Sequence, residues 1–244
     1  VLADGVTEIH DAAGEPEVVD LADFLASMGA KISGAGTRHI TIEGVKELRG
    51  TASTVIPDRI AAGTMLVAGA IAGEKLTVNR VRPDHLEAIV GPLKDAGFTV
   101  EEDTESVTIS PNGMTKPLHL ETSPYPGFPT DMQAQMCALL AHAPGVSVVT
   151  DHVFPQRFMH VAELCRMGAQ IKLQHPTAVI TGNGKLSGAP VMASDLRASA
   201  ALLLAGLAAE GVTEINRVYH IDRGYERIDE KLNGVGARIE RVKA

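Results

Sequence analysis

The residues best equipped for chemistry in this sequence are arginines and aspartates that recur at related places along the chain. Arg82 in VRPDHL, Arg157 in FPQRFMHV and Arg223 in HIDRGYERI each precede an amphipathic stretch, and Arg157 and Arg223 are 66 residues apart. Arg59 and Arg197 each lie one or two residues beyond an Asp that opens a long apolar run. A guanidinium is planar, permanently charged and able to grip a carboxylate or phosphate through two parallel hydrogen bonds. Repetition of this kind argues against five unrelated solvated side chains. A cation in the first turn of a helix opposes the helix dipole, so Arg59 and Arg197 require an anionic partner, either an Asp or a ligand.

Asp131 lies in SPYPGFPTDMQAQ, where three closely spaced prolines hold an extended loop that ends at an apolar helix. Its simplest role is to cap that helix. Thr130 could cap instead, which would leave the Asp131 carboxylate free to accept a hydrogen bond or a proton from a substrate hydroxyl. Asp195 follows Ser194 in the same way. Phe154, two residues after His152, suits either a ligand-facing wall or the core. The nine histidines show no metal-ligand spacing: His152 and His160 are eight apart and His220 stands alone. Cys137 and Cys165 sit in apolar helical contexts without a CxxC pair, so no metal site, disulfide framework or other cofactor is expected. P-loop, GxGxxG and GxSxG motifs are absent.

Charge and hydropathy narrow the partners. With 22 Lys and Arg against 30 Asp and Glu, and no basic block, the chain is not expected to bind nucleic acid or an anionic membrane surface. No apolar run is long enough for a membrane span, and VLADGVTEIH lacks the basic start and apolar core of a signal peptide. A reducing cytoplasm is the expected compartment.

The elements that would position these residues recur. A short strand led by Gly5, Gly73, Gly145 and Gly211 repeats at intervals of 66–72 residues. Each is followed by a turn and an amphipathic helix closing on Gly29, Gly97, Gly168 or Gly236. Alternating strands follow in AKIS, FTVEE, AQIKL and ARIERV, with further strands in HITIEG, SVTIS and AVITGN. Ahead of three strand-leading glycines lie helices apolar almost all round, DRIAAGTMLVAGAIAG, DMQAQMCALLAHAPG and DLRASAALLLAGLAAEG, which must be enclosed by protein. The complete unit therefore reads β-α-β-α-β-β. The first copy begins at VLADG, the tail of such a helix, so an N-terminal part is expected to be missing. GTASTVIPDRI reads as a crossover, dividing the chain into residues 1–56 and a second domain of three units, 57–244. If those units surround a pseudo-threefold axis, their buried helices run parallel and their N-termini form an anion site at one face.

The segments PTDMQAQ, RFMHVAEL, LSGAPVMASDLRASAALLLAGLAAEG and YHIDRGYERIDEKL resemble the UDP-N-acetylglucosamine 1-carboxyvinyltransferases of the enolpyruvyl transferase family. The likeness runs from EPEVVDLADFLASMGAKI to ARIERVK, so the chain resembles the later, larger part of that family's sequence. The resemblance implies an α/β (α+β) fold: an inside-out barrel of two domains, each of three such units around buried parallel helices, here truncated at the N-terminus. It implies transfer of the enolpyruvyl group of phosphoenolpyruvate to the 3′-hydroxyl of UDP-N-acetylglucosamine, with release of phosphate, in the cytoplasmic first committed step of peptidoglycan synthesis. Asp131 would be the catalytic base beside the sugar hydroxyl. Val153 and Phe154 would lie near the uridine nucleotide. Arg157, Arg197 and Arg223 would line the cleft, with Arg223 closest to phosphoenolpyruvate.

The sequence also departs from the family. The loop with a Cys or Asp proton donor and the N-terminal Lys-Asn pair have no counterpart, and Cys137 and Cys165 occupy helix interiors. The chain by itself is therefore expected to be inactive, its missing N-terminal part supplying the rest of the site. Two rivals remain: a carboxyvinyltransferase acting on shikimate 3-phosphate, against which RFMHVAEL and DMQAQ speak, and a non-catalytic binding module built of the same units, which resemble those of RNA-phosphate cyclases.

Overall fold

The computed structural model describes residues 1–242. Four copies of one unit follow each other. The first comprises strand β1 (Val6–His10), helix α1 (Pro16–Ser27), and strands β2 (Lys31–Ser33) and β3 (His39–Glu43). The second comprises helix α2 (Arg59–Ala72), strand β4 (Leu76–Asn79), helix α3 (Glu87–Asp95), and strands β5 (Thr99–Glu102) and β6 (Ser106–Ser110). The third is complete: strand β7 (His119–Thr122), helix α4 (Gln133–His142), strand β8 (Gly145–Asp151), helix α5 (Met159–Arg166), and strands β9 (Gln170–Gln174) and β10 (Thr177–Gly182). Its sheet order is β7-β8-β10-β9, with β7 parallel to β8 and the other pairs antiparallel. The fourth comprises strand β11 (Pro190–Met192), helix α6 (Leu196–Ala208), strand β12 (Glu214–Asn216), and the short helices α7 (Tyr219–Asp222) and α8 (Ile228–Asn233).

The all-apolar helices lie inside, as their sequences require. Helices α2, α4 and α6 pack on one another, and Leu66, Met136, Leu140 and Leu204 are fully buried. The sheets lie around them, each with two unlike faces. Val107, Ile109, Val149 and Ile180 point at the helices and are buried, whereas Thr77 and Val146 on the opposite faces are exposed. The outer helices close as expected, with Gly168 at φ 94° directly after α5 and its Cys165-Met167 turn; a residue with a Cβ pays a steric penalty there. The sheets are four separate ones and do not join into a closed barrel among the described residues.

One expected strand does not form. ARIERV, residues 237–242, has no strand pairing, although AKIS, FTVEE and AQIKL in the other units do. Those three pair with β3, β6 and β10, and among the described residues the fourth unit offers no such antiparallel neighbour. The segment is held by side chains instead. Asn233 exchanges two 2.8 Å hydrogen bonds with Ile239, and the Arg241 guanidinium bridges Asp222 and Asp229.

Candidate functional site

The first residues of α2 and α6, and the 3-10 turn Thr130–Met132 that leads into α4, open into one cavity of about 820 Å³. The three buried helices therefore run in the same direction, as the repeat requires. At two of them the protein supplies its own anion. The Asp58 carboxylate accepts from the backbone N–H groups of Ile60 and Ala61, and that of Asp195 from Arg197 and Ala198, at 2.7–3.0 Å. These are N-caps, which satisfy the unpaired amides and the positive end of the dipole. The expected anion site at the helix ends is thus largely filled by carboxylates of the chain itself.

Asp131 is not a cap. It sits inside the 3-10 turn, and its carboxylate is gripped from two sides, by Arg157 Nη1 at 2.5 Å and by Arg197 Nη2 at 3.0 Å. Arg157 also lies 3.6 Å from Asp195. Burial pushes the Asp131 carboxyl up, but the Arg197 charge and the hydrogen bonds from both guanidiniums outweigh burial and hold it below the ordinary range. Nor does Thr130 cap the helix: its hydroxyl donates to Asp151 at 2.7 Å. Arg59, facing the same cavity, pairs with Glu17 and lies over the Tyr125 ring. The anionic partners required by Arg59 and Arg197 are therefore carboxylates.

Val153 and Phe154 line the cavity, and Phe154 is 55% exposed, which places it in the wall rather than the core. Arg223 is different. It ends α7, is exposed and does not line this cavity. Arg82 likewise stands apart, exposed and paired with its neighbour Asp84. The structure therefore brings Asp131, Val153, Phe154, Arg157 and Arg197 together and leaves Arg223 outside the group.

Two further sets of residues hold this arrangement. Asp151, fully buried at the end of β8, accepts hydrogen bonds from the Thr122 and Thr130 hydroxyls and from the backbone N–H groups of Val153 and Phe154, at 2.7–3.0 Å. One carboxylate thus ties the Phe154 wall to the turn carrying Asp131. Beneath, the Gln135 side-chain amide donates to the Asp131 carbonyl at 2.8 Å and to Thr64 Oγ1 at 3.1 Å. Thr64 meets the Tyr225 hydroxyl, which accepts from Arg197 Nη1 at 3.1 Å. Sequence reasoning missed Asp151, Gln135, Thr64 and Tyr225. The signal available was polarity out of place: a carboxylate ending the apolar strand VSVVTD, and glutamines inside an otherwise apolar helix.

The cavity thus sets one apolar wall beside a carboxylate held by two guanidiniums, a combination of charges suited to a polar, anionic ligand. A family model described as EPSP synthase (3-phosphoshikimate 1-carboxyvinyltransferase) matches residues 1–232. The chain is 61% identical over 244 residues to a UDP-N-acetylglucosamine 1-carboxyvinyltransferase of Akkermansia muciniphila, and 56% identical over 244 residues to UDP-N-acetylglucosamine 1-carboxyvinyltransferase 2 of Carboxydothermus hydrogenoformans. Both alignments cover 99% of the chain but 57% and 58% of the relatives, so the chain spans somewhat more than half their length. Among solved structures, the enolpyruvyl transferase NikO from Streptomyces tendae matches with a TM-score of 0.87 at 29% identity, over 100% of this chain and 58% of that one. EPSP synthase from Acinetobacter baumannii matches with a TM-score of 0.76 at 22% identity, over 99% and 59%, a likeness of fold. The repeated units around buried helices are the enolpyruvyl transferase fold, and the chain belongs to the EPSP synthase (3-phosphoshikimate 1-carboxyvinyltransferase) family.

Proposed function

We propose that this protein transfers the enolpyruvyl group of phosphoenolpyruvate to the 3′-hydroxyl of UDP-N-acetylglucosamine, and that these 244 residues supply one wall of the substrate cleft. The observation that carries the reading is the Asp131 carboxylate held between Arg157 and Arg197, at a cavity walled by Val153 and Phe154. Identity of 54–61% to proteins named for UDP-N-acetylglucosamine favours that acceptor over shikimate 3-phosphate.

In the reaction, the sugar oxygen bonds to the central carbon of phosphoenolpyruvate while a proton reaches its methylene carbon. The tetrahedral adduct then loses phosphate and a proton from the resulting methyl group, restoring the carbon–carbon double bond. Asp131 is the group placed to orient the attacking hydroxyl and accept its proton. With both guanidiniums on it the carboxylate is a weak base. A substrate anion that draws Arg157 or Arg197 away removes the opposing charge, and burial then raises the carboxyl toward the basicity the step needs. Arg223, outside the cavity, is assigned to phosphoenolpyruvate across the cleft, where a second wall would close.

We take residues 57–244 as one domain and 1–56 as part of another that carries the proton-donor loop. Supporting this, the main buried core runs from Ile60 to Leu232 and draws no member from the first 56 residues. On this reading the 244-residue chain alone has no turnover, and the remainder of the protein is its required partner.

The test uses the full-length enzyme. Asp131→Asn should lower kcat by about 100-fold or more, while UDP-N-acetylglucosamine still binds within a few-fold of wild type by calorimetry. Unchanged kcat would remove Asp131 from the reaction. Binding of shikimate 3-phosphate in place of the sugar nucleotide would reverse the substrate assignment, and binding of neither would favour a non-catalytic module.

A further inference from the structure

The first unit carries a group of side chains that the cleft does not use. Glu8 and His10 sit two residues apart on β1, and therefore on one face of its sheet. His39 on β3 lies directly opposite His10 in the antiparallel register. The two imidazole rings are stacked with centroids 4.6 Å apart, and the Glu8 carboxylate lies 3.8 Å from His10 Nε2. One ligand atom from each of the three residues lies within 4.8 Å of the other two.

The face on which they sit is fixed by the repeat. In β1 and β3 the alternate residues Ile9, Ile40 and Ile42 form the apolar face. In the second and third units the corresponding apolar faces, with Val107, Ile109, Val149 and Ile180, cover the buried helices. The opposite faces look outward. Glu8, His10 and His39 are on that outward face, and all three are exposed.

We propose that Glu8, His10 and His39 form a binding site for a divalent transition-metal ion of the Zn²⁺ class. Two imidazoles and one carboxylate are the donor set that Zn²⁺ takes in open three-ligand sites, with water in the fourth position. Zn–N and Zn–O bonds of about 2.0–2.1 Å put tetrahedral ligands about 3.4 Å apart. The ligand atoms, within 4.8 Å of one another, would close to that spacing by rotation of exposed side chains whose roots the paired strands fix. Calcium and magnesium, which require several oxygen ligands, do not suit two imidazoles. The ion would bridge β1 and β3, neither of which lines the cavity, and the site rests on no feature of the proposed transferase reaction.

Titration of the metal-free, intact protein with Zn²⁺ tests this. One equivalent should bind with micromolar affinity, and His39→Gln and the double variant His10→Gln/His39→Gln should each weaken binding at least tenfold. His152→Gln, an exposed histidine elsewhere, should leave it unchanged. Co²⁺ should give the visible bands of a tetrahedral nitrogen and oxygen site, absent in the double variant. Circular dichroism establishes that the variants are folded. Zn²⁺ binding equally well to the double variant, or lost equally in His152→Gln, overturns the proposal and leaves adventitious surface binding only.

Discussion

Asp151 shows how much one buried side chain can hold in place. Its carboxylate satisfies two hydroxyls and two backbone amides, and removing it leaves four donors without their acceptor, the Thr122 hydroxyl fully buried and the other three partly so. Asp151→Ala should cost on the order of 3 kcal/mol in urea unfolding. In the full-length enzyme it should both raise KM for the sugar nucleotide and lower kcat, because it positions the Phe154 wall and the turn that carries Asp131. His160 makes a different prediction. Burial outweighs the neighbouring charges and depresses its imidazole to about 4, against an ordinary value of 6.5. The unfolded chain therefore takes up a proton that the folded one refuses. Stability contributed by the neutral ring is intact above pH 6.5, falls as pH drops from 6.5 to 4, and changes no further below. The slope for one group is at most about 1.4 kcal/mol per pH unit. His160→Phe should flatten the curve in that window. Some slope should remain, since burial also lowers His142.

Close packing of the buried helices against their sheets rests on small residues at the element level. A Cβ built on Gly69 in α2 would lie 2.7 Å from Leu76 Cβ and 3.0 Å from Ile109 Cγ2. The Leu76 atom is fixed to the backbone of β4 and cannot swing aside. Gly69→Ala gains about 0.8–1.0 kcal/mol of helix propensity, but overpacking of this kind costs about 1–3 kcal/mol. A net loss of roughly 1 kcal/mol is expected by chemical denaturation; a gain would show that α2 can move off its sheet. Gly63 on the same helix meets the flexible tip of Ile89 instead, so the same substitution should be milder there.

For the whole molecule, the main core determines what can stand alone. It is assembled from α2, α4 and α6 with their sheets and begins at Ile60. The first unit leaves Leu21 and Phe24 of α1 exposed and meets the cavity through residues such as Glu15 and Glu17. Residues 57–244 alone should therefore unfold in one cooperative transition within a few degrees of the 244-residue chain, as read by circular dichroism. A broad, non-cooperative melt would show that residues 1–56 belong to the same folding unit. Much of this organisation is legible in the sequence because it is local. A helix apolar on every side must be buried, glycine past a helix marks its end, and a repeating pattern of such elements repeats the fold. The grouping of Asp131 with Arg157 and Arg197 also followed from resemblance to known segments. Three-dimensional pairing decided the rest. Asp131 is turned from a plausible cap into a clamped carboxylate by arginines 26 and 66 residues away. ARIERV alternates like a strand yet finds no neighbour among the described residues, because a ladder needs a partner that periodicity cannot supply. His10 and His39 show no metal spacing along the chain and meet only when β1 and β3 align in register. The sequence determined most of the elements and which face of each is buried, since both depend largely on neighbours a few residues apart. Which distant side chains touch was left to the tertiary structure, since sheet register and helix packing set those distances.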